Sequence, residues 1–297
     1  MFRRSGTSKR DRAVVVSITD THAGHSLGLL HPETVLIRAE PGEGELEEWT
    51  PPLTITQQRL WRLYEHALAR IDAYADGDPV FVLFGGDATN GDVYPNGIIP
   101  GTTYGDQRVI AARNLEPLLQ LPAFRAMRLV TGTYVHVHGS AEARIVKRLR
   151  VAVPGADVAI CHHARLTIGG VVFDVAHHGP SAGSREWLHG NVARYHLRDR
   201  MYRDWRHGVE PARVYLRHHY HTAVREAIHD RWQGQPHTSE LYVVPSMCGF
   251  TDHARKVTRS DPFLTNGLIM WEIVDGTLGE PVELTETLDL RTEEVLL

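Results

Sequence analysis

Five short clusters of aspartate, asparagine and histidine stand out in this 297-residue sequence, because each one follows an apolar segment. The clusters are Asp20 with His22, Asp87 with Asn90, His136 with His138, His177 with His178, and His219 with His221. Carboxylate and imidazole donors without a thiolate suit divalent Mn, Fe, Zn or Ni. The set is larger than one ion needs, which predicts two ions with Asp87 as the bridging carboxylate. Two ions about 3.5–4 Å apart can clamp the attacking and leaving oxygens of a phosphoryl displacement.

Each cluster taken alone has an ordinary structural explanation. An aspartate that follows Gly86 at the end of a strand often caps the next helix. Adjacent histidines such as His177 and His178 can be one buried and one surface ring. The conjunction favours the functional interpretation, since all five clusters occur in order and each lies at the end of an apolar segment.

Short buried strands are the elements that must position these clusters. Apolar runs rich in β-branched residues occur near 14–18, 80–84, 128–131, 171–176 and 214–216, and helices are predicted near 56–75, 107–120, 141–150 and 184–208. Continuous apolar runs are typical of parallel strands that are buried on both faces. Ligands of α/β sheets collect beyond the carboxyl ends of the strands. We therefore predict an α/β fold in which neighbouring parallel strands bring the clusters together.

Composition limits the class of protein. A net charge of −4 provides no overall basic field for gripping nucleic acid, and two cysteines are too few for a disulfide framework. The sequence has no run of about 18 apolar residues, which a membrane-spanning helix would need. No membrane partner is therefore expected. Residues 1–12 are basic and lack the apolar segment of a secretory signal. We expect a flexible basic tail over 1–12, a single domain over 13–297 and a cytoplasmic protein.

The ordered clusters resemble the motifs of the calcineurin-like metallophosphoesterase superfamily, which are D-x-H, GDxxDxG, GNH(D/E), a His before Gly, and GHxH. The segments that carry the resemblance are Asp20-Thr21-His22, Gly86-Asp87-Ala88-Thr89-Asn90-Gly91, Gly132-Thr133-Tyr134-Val135-His136, His178-Gly179 and His218-His219-Tyr220-His221. The resemblance covers roughly residues 13–225. More narrowly, the chain is similar to members encoded by phages and prophages, whose last motif is R-x-H-x-H and begins here at Arg217.

This resemblance implies a four-layer α-β-β-α sandwich and two divalent ions, with manganese the first expectation and Fe, Zn or Ni the alternatives. It implies that the first ion is held by Asp20, His22, Asp87 and His221. The second ion would be held by Asp87, His219 and one of the adjacent pair, with His178 favoured and His177 the alternative.

The third motif departs from the family pattern. Thr133 stands where the family has a metal-binding Asn, and Tyr134 stands where it has a catalytic His. His136 is therefore expected to serve either as a metal ligand or as the proton donor to the leaving oxygen. Glu142 either braces His136 or supplies an ordinary charge at a helix N-terminus. Substrate contacts are expected from Asn90, His138 and Arg217.

The predicted function is a metal-dependent phosphoester hydrolase acting on phosphodiesters, with nucleic acid as one candidate substrate. Two alternatives stay open, namely a phosphomonoesterase and a metal- or phosphate-binding module without turnover. A metallo-β-lactamase-like enzyme is disfavoured, because its HxHxDH motif fails where Gly139 and Ser140 follow His138. Arginine and aromatic residues interleave over 184–208, which can grip a phosphate backbone and stack bases. An amphipathic helix with its aromatic face in the core is the interpretation that we favour for this segment.

Overall fold

The computed structural model describes residues 11–39, 46–93, 96–137, 141–181, 190–251 and 262–292. Residues 1–10, which make up most of the predicted basic tail, lie outside the described residues. The described residues form a mixed α/β fold, as the sequence predicts.

The strands of the described residues are β1 (Arg12–Ile18), β2 (Leu36–Ala39), β3 (Leu46–Trp49), β4 (Val80–Phe84), β5 (Phe124–Val130), β6 (Val158–Cys161), β7 (Ala164–Ile168), β8 (Val171–Val175), β9 (Val214–Arg217), β10 (Val224–Trp232), β11 (Gln235–Val243), β12 (Phe263–Val274), β13 (Thr277–Leu278) and β14 (Val282–Asp289). The helices are α1 (Ile55–Ala75), α2 (Tyr104–Leu119), α3 (Tyr134–Val137), α4 (Ala141–Ala152) and α5 (Asn191–Arg206). None of these helices is long and apolar enough to cross a membrane.

The larger sheet has the order β13-β12-β1-β4-β5-β6, and β14 also pairs with β12. Strands β1, β4, β5 and β6 are parallel neighbours, whereas β12 runs antiparallel to β1. The carboxyl ends of β1, β4 and β5 therefore meet at one edge, as predicted for the first three clusters.

The smaller sheet has the order β10-β11-β9-β8-β7. Strands β8 and β9 are parallel neighbours, and β11 is parallel to β9. The last two clusters follow β8 and β9, so the five clusters come from two sheets rather than from one.

Side-chain alternation along β1 shows how the layers meet, because successive residues of a strand point to opposite faces. Val14, Val16 and Ile18 join the apolar cluster that α1, α2 and α4 form over one face of the larger sheet. Ala13 and Val15 join a second cluster on the other face, together with residues of the smaller sheet. The outer face of the smaller sheet packs against the apolar residues of α5.

Several elements were not predicted. No strand was predicted between residues 26 and 56, but this segment contains the hairpin of β2 and β3. Strands β10 and β14 were also missed, because charged residues interrupt their apolar residues and only part of each strand is buried.

Candidate metal centre

Backbone hydrogen bonds bring the loops after the strands into contact. The Asp20 N–H donates to the Gly86 carbonyl at 3.0 Å, and the His22 N–H donates to the Asp87 carbonyl at 3.1 Å. In the smaller sheet, the His218 N–H donates to the His177 carbonyl at 3.0 Å. The polar clusters that follow β1, β4, β8 and β9 are thus fixed by backbone contacts between neighbouring strand ends.

Five of the predicted ligand residues have a left-handed backbone conformation. Their φ angles are 50° at Asp20, 41° at His22, 50° at Asp87, 78° at His219 and 55° at His221. For a residue other than glycine, this backbone conformation costs about 1 kcal/mol or more in conformational free energy. Such strain tends to be retained at functional sites. The sharp change of direction after each strand turns these side chains toward a common space.

Three groups of potential ligands occupy that space. The first group is Asp20, His22 and His221, in which the two imidazole Nε2 atoms lie 3.2 Å apart. The Asp20 Oδ1 atom lies 3.4 Å from Nε2 of His221 and 3.9 Å from Nε2 of His22. All three side chains are at most 9% exposed, so the first group is almost closed to solvent.

The second group is Asp87, His177 and His219. The Asp87 Oδ2 atom lies 3.1 Å from Nε2 of His177 and 4.0 Å from Nδ1 of His219. The Thr133 hydroxyl lies within 3.1–3.2 Å of all three of these side chains. His219 is 28% exposed, so the second group is open on one side.

The linking group is His22, Asp87 and His136, and it shares a residue with each of the other two. The His136 Nε2 atom lies 3.9 Å from Asp87 Oδ2, and its ring meets the His22 ring edge-on with centroids 4.7 Å apart. Asp87 therefore stands between both sides of the cluster, where a bridging carboxylate was predicted.

Backbone carbonyls orient two of the imidazoles. His177 Nδ1 lies 2.8 Å from the Gly85 carbonyl, and His136 Nδ1 lies 2.6 Å from the Asn90 carbonyl. A carbonyl oxygen can only accept, so each Nδ1 carries the proton and each Nε2 faces the cluster. Metal-binding histidines are commonly fixed in this way, since the outer hydrogen bond sets the tautomer.

The buried carboxylates and imidazoles of the cluster shift one another's pKa values. Burial lowers the pKa of His177, but Asp87 and Asp20 outweigh it and raise this pKa to about 9. Burial raises the pKa of Asp87, yet His177 and His219 hold it well below its usual range. For His22, burial and the neighbouring imidazoles of His136 and His221 lower the pKa well below its usual range. Asp87 is thus kept ionised, whereas His22 is neutral and His177 is protonated as long as no metal ion displaces its proton.

The residues present fit divalent metal ions. The Asp20 Oδ1 atom is buried and accepts no hydrogen bond from a described residue, which is costly for a carboxylate oxygen unless a cation binds it. The donors are carboxylate oxygen, imidazole nitrogen and one hydroxyl, a set that suits Mn, Fe, Zn or Ni.

Close packing behind the cluster explains Gly132. A Cβ atom at this position would lie 2.2 Å from Asp87 Oδ1, so a larger residue would displace the central carboxylate. The Gly132 N–H donates to Glu142 Oε1 at 3.2 Å, and the Thr133 N–H donates to Asp87 Oδ1 at 2.6 Å. Glu142 therefore supports the backbone of this loop rather than His136, and burial raises its pKa to about 7.

The structure separates the adjacent histidines that the sequence left open. His177 belongs to the second group, whereas His178 is exposed and belongs to none of the three groups. Strand alternation accounts for the difference, because His177 continues the inward-facing series of Val171, Phe173 and Val175. The preference for His178 that the sequence suggested is therefore not supported by the geometry.

The residues predicted to contact substrate have other surroundings. The Arg217 guanidinium is buried and donates to Asp174 Oδ1 at 2.6 Å, so it is engaged by the protein rather than free for a substrate. The Asn90 side chain is also buried, and its backbone carbonyl orients His136. His138 lies outside the described residues.

Sequence reasoning gave no role to two residues beside the cluster. Thr133 was noted only as a departure from the family pattern, and nothing in its residue type signals that its hydroxyl meets three ligand side chains. His218 is fully buried, and a Cβ atom at Gly85 would lie 2.4 Å from its ring. The signal for His218 was the glycine pair that ends β4, which leaves room for a close neighbour.

Comparisons with known proteins add little to this geometry. No known family profile matches the sequence, and no curated protein sequence is similar to it. Among solved structures, that of a novel archaeal phosphodiesterase is similar to 88% of this chain and 99% of its own, at 9% identity and a TM-score of 0.35. At this identity and TM-score, the likeness establishes neither a family nor a function for the chain.

Proposed function

We propose that this chain is a metal-dependent phosphoester hydrolase with a two-metal centre, and that its substrates are phosphodiesters. The observation that carries the proposal is the convergence of three Asp/His groups, joined through Asp87 and His22, beyond the carboxyl ends of strands from two sheets. A pair of cations that shared Asp87 would find further ligands in the first group and in the second group.

The same proposal assigns the chain to the calcineurin-like metallophosphoesterases of the phage and prophage type, as one four-layer α-β-β-α domain over 13–297. The motif order in the sequence and the helix–sheet–sheet–helix contacts of the apolar clusters support this assignment. Manganese is the proposed metal, because carboxylate and imidazole donors suit it and thiolates are absent from the three groups.

In the proposed centre, the first group and Asp87 hold one ion, and the second group holds the other with the Thr133 hydroxyl as an additional donor. Ions bound there would activate water and offset charge on the phosphoryl oxygens. His136 is held by the Asn90 carbonyl with Nε2 toward the cluster. We assign it as general acid: as the phosphorus–oxygen bond breaks, Nε2–H gives its proton to the leaving oxygen.

Replacing Asp87 tests the proposal. Asp87→Asn keeps the size of the side chain but removes the central charge, so we expect metal-dependent hydrolysis of bis-p-nitrophenyl phosphate to be lost and metal content to fall. Asp72→Asn, on the exposed face of α1, is the matched control and should behave as wild type. Wild-type turnover in Asp87→Asn would overturn the proposal.

His136→Asn separates the two roles that the sequence left open for His136. A general acid contributes about 10²–10⁴-fold, so turnover should fall for a substrate with a poor leaving group while metal content is unchanged. A loss of bound metal would make His136 a ligand. Bound metal in the wild-type protein, with no hydrolysis of any monoester or diester, would instead favour a binding module.

A further inference from the structure

The outward face of α5 carries an alternating series of tyrosine and arginine residues. Tyr195, Arg198, Tyr202 and Arg206 follow one another at intervals of three or four residues, which places them on one side of a helix. Tyr195 is 69% exposed and Tyr202 is 49% exposed. The amphipathic interpretation favoured from the sequence put the aromatic face in the core, and for these two rings it is wrong.

The core contacts of α5 are made by other residues. Ala193, Leu197 and Met201 are buried against Tyr215 and Leu241 of the smaller sheet. These small and aliphatic residues fix the helix to the sheet, so the exposed tyrosines are not needed for packing. Their rings are therefore available for contacts outside this chain.

This face of α5 is positively charged, and only some of the arginines of the helix form ion pairs. Five arginines and two aspartates lie in α5. Arg200 and Arg203 pair with Asp199, and Arg194 pairs with Glu226. By contrast, Arg198 and Arg206 form no ion pair with any residue that the structure describes. These two guanidinium groups, which have no ion pair among the described residues, lie in the same series as the exposed rings.

The direction of α5 connects this face with the metal centre. Near its beginning, burial and then the charge of Arg217 lower the pKa of His196 to about 4. The His196 ring therefore lies near Arg217, at the end of β9. Near its end, Asp204 accepts a hydrogen bond from the Tyr215 hydroxyl at 2.8 Å. The helix thus runs antiparallel to β9, and its first turns lie at the strand end that carries His219 and His221.

We propose that the face formed by Tyr195, Arg198, Tyr202 and Arg206 binds single-stranded nucleic acid and guides its phosphodiester backbone to the metal centre. Arginines that are free of carboxylates complement phosphates, and exposed rings stack on unpaired bases without regard to sequence. The two tyrosines lie about 10 Å apart along the helix axis, which leaves space for intervening bases. Delivery to the metal centre rests on the proposed function, whereas binding does not.

Binding of fluorescently labelled single-stranded DNA and RNA of one sequence, followed by anisotropy, tests this surface. For Arg198→Gln/Arg206→Gln we expect the Kd to rise about fivefold to tenfold. The salt dependence of log Kd should become shallower by about 1.4, since each phosphate contact on a single strand contributes about 0.7. For Tyr195→Ala/Tyr202→Ala we expect the Kd to rise about tenfold with an unchanged salt dependence, because stacking is not ionic.

Arg62→Gln/Arg70→Gln is the matched control, because it removes two exposed arginines from α1, on the opposite side of the two sheets. Its Kd should stay within a factor of two of the wild-type value. Turnover of bis-p-nitrophenyl phosphate should be unchanged in all three double variants, since none of these residues contacts the metal centre. Equal losses for DNA and RNA would assign the surface to both, and a loss for one alone would identify the natural polymer.

An unchanged Kd in both α5 variants would overturn the proposal. A loss with the arginine pair alone would refute the stacking surface and leave only general charge attraction. If Tyr195→Ala/Tyr202→Ala instead breaks up an oligomer in sedimentation and leaves the Kd unchanged, the face joins copies of this chain and the proposal is wrong. If nucleic-acid binding depends on α5 but the wild-type protein hydrolyses no phosphoester, the proposed function fails and the surface stands.

Discussion

The first and second groups of the metal centre contain similar residues but are built differently. Asp20, His22 and His221 are almost completely buried. In the second group, His219 is partly exposed and the Thr133 hydroxyl completes the set. The first group is thus closed to solvent, whereas the second is open to solvent on one side and includes a neutral, weaker donor.

In the proposed two-metal centre, this difference predicts that the two sites do not bind metal equally. A ligand set held in position before binding loses less conformational freedom when the ion enters. A hydroxyl also provides less charge than a carboxylate and less basicity than an imidazole. We therefore expect the first group to bind its ion more tightly and the second group to exchange its ion more readily.

The largest change in Mn²⁺ affinity is expected from Asp20→Asn. Outer partners of metal ligands alone are worth about 10–100-fold in affinity, so removal of a buried charged ligand should weaken the tighter site by more than about a hundredfold. Equilibrium dialysis with Mn²⁺ should then show one weak ion in place of one tight and one weak ion. Retention of the tight site in Asp20→Asn would show that the first group is not the stronger one.

Replacement of the adjacent histidines should have the next largest effect. His177→Ala removes the Nε2 atom nearest to Asp87, so the weaker step of the Mn²⁺ titration should disappear while the tighter step stays within a few-fold of wild type. His178→Ala is the matched control and should leave both steps unchanged, because His178 lies outside the three groups. Loss of the weaker step in His178→Ala alone would reverse the assignment.

The adjacent histidines also show how far the sequence alone determines the site. Strand ends and ligand types were predictable, because β1 and β4 are continuous apolar runs followed by Asp and His. The position of His177 in the cluster follows from alternation along β8, and this alternation can be read from the sequence. The glycine that follows His178 led instead to the preference for His178. The roles of Arg217 and Asn90 were not predictable, because they depend on Asp174 and His136, which come from other parts of the chain.

Elements away from the site were less predictable for a related reason. Strand β14 contains three acidic residues and gains its order from pairing along β12, a contact that its own sequence does not indicate. The hairpin of β2 and β3 is short and carries exposed apolar residues, such as Ile37 and Leu46. Local sequence therefore predicted the strands that are buried on both faces and missed those whose pairing defines them.

A smaller effect on the second group is expected from Thr133→Val, which keeps the shape of the side chain and removes only the hydroxyl. The weaker Mn²⁺ step should lose about tenfold in affinity, at the lower end of the range for indirect partners, while the tighter step is unchanged. Thr131→Val, whose hydroxyl contacts the Cys161 carbonyl instead, controls for loss of a neighbouring hydroxyl. An unaltered weaker step in Thr133→Val would exclude the hydroxyl as a donor.

The smallest effect is expected from Glu142→Gln. This substitution changes the free energy of unfolding of the metal-free protein rather than the affinity for metal. Burial raises the pKa of Glu142 to about 7 in the folded state, above its ordinary value of 4.5. Folding then takes up a proton, so the stabilising contribution is complete below about pH 4.5 and is lost as the pH rises through about 7. The glutamine variant resembles the protonated side chain at every pH.

Urea unfolding of the metal-free protein should therefore show Glu142→Gln to be more stable than wild type by about 1–3 kcal/mol at pH 8, with a smaller difference at pH 5. Glu65→Gln, on the exposed face of α1, should follow the wild-type profile. Equal stability of Glu142→Gln and wild type at both pH values would mean that Glu142 is ionised at no cost. In that case the Gly132 N–H would donate to an ionised carboxylate. This stronger hydrogen bond would hold Thr133 and the second group more firmly in position.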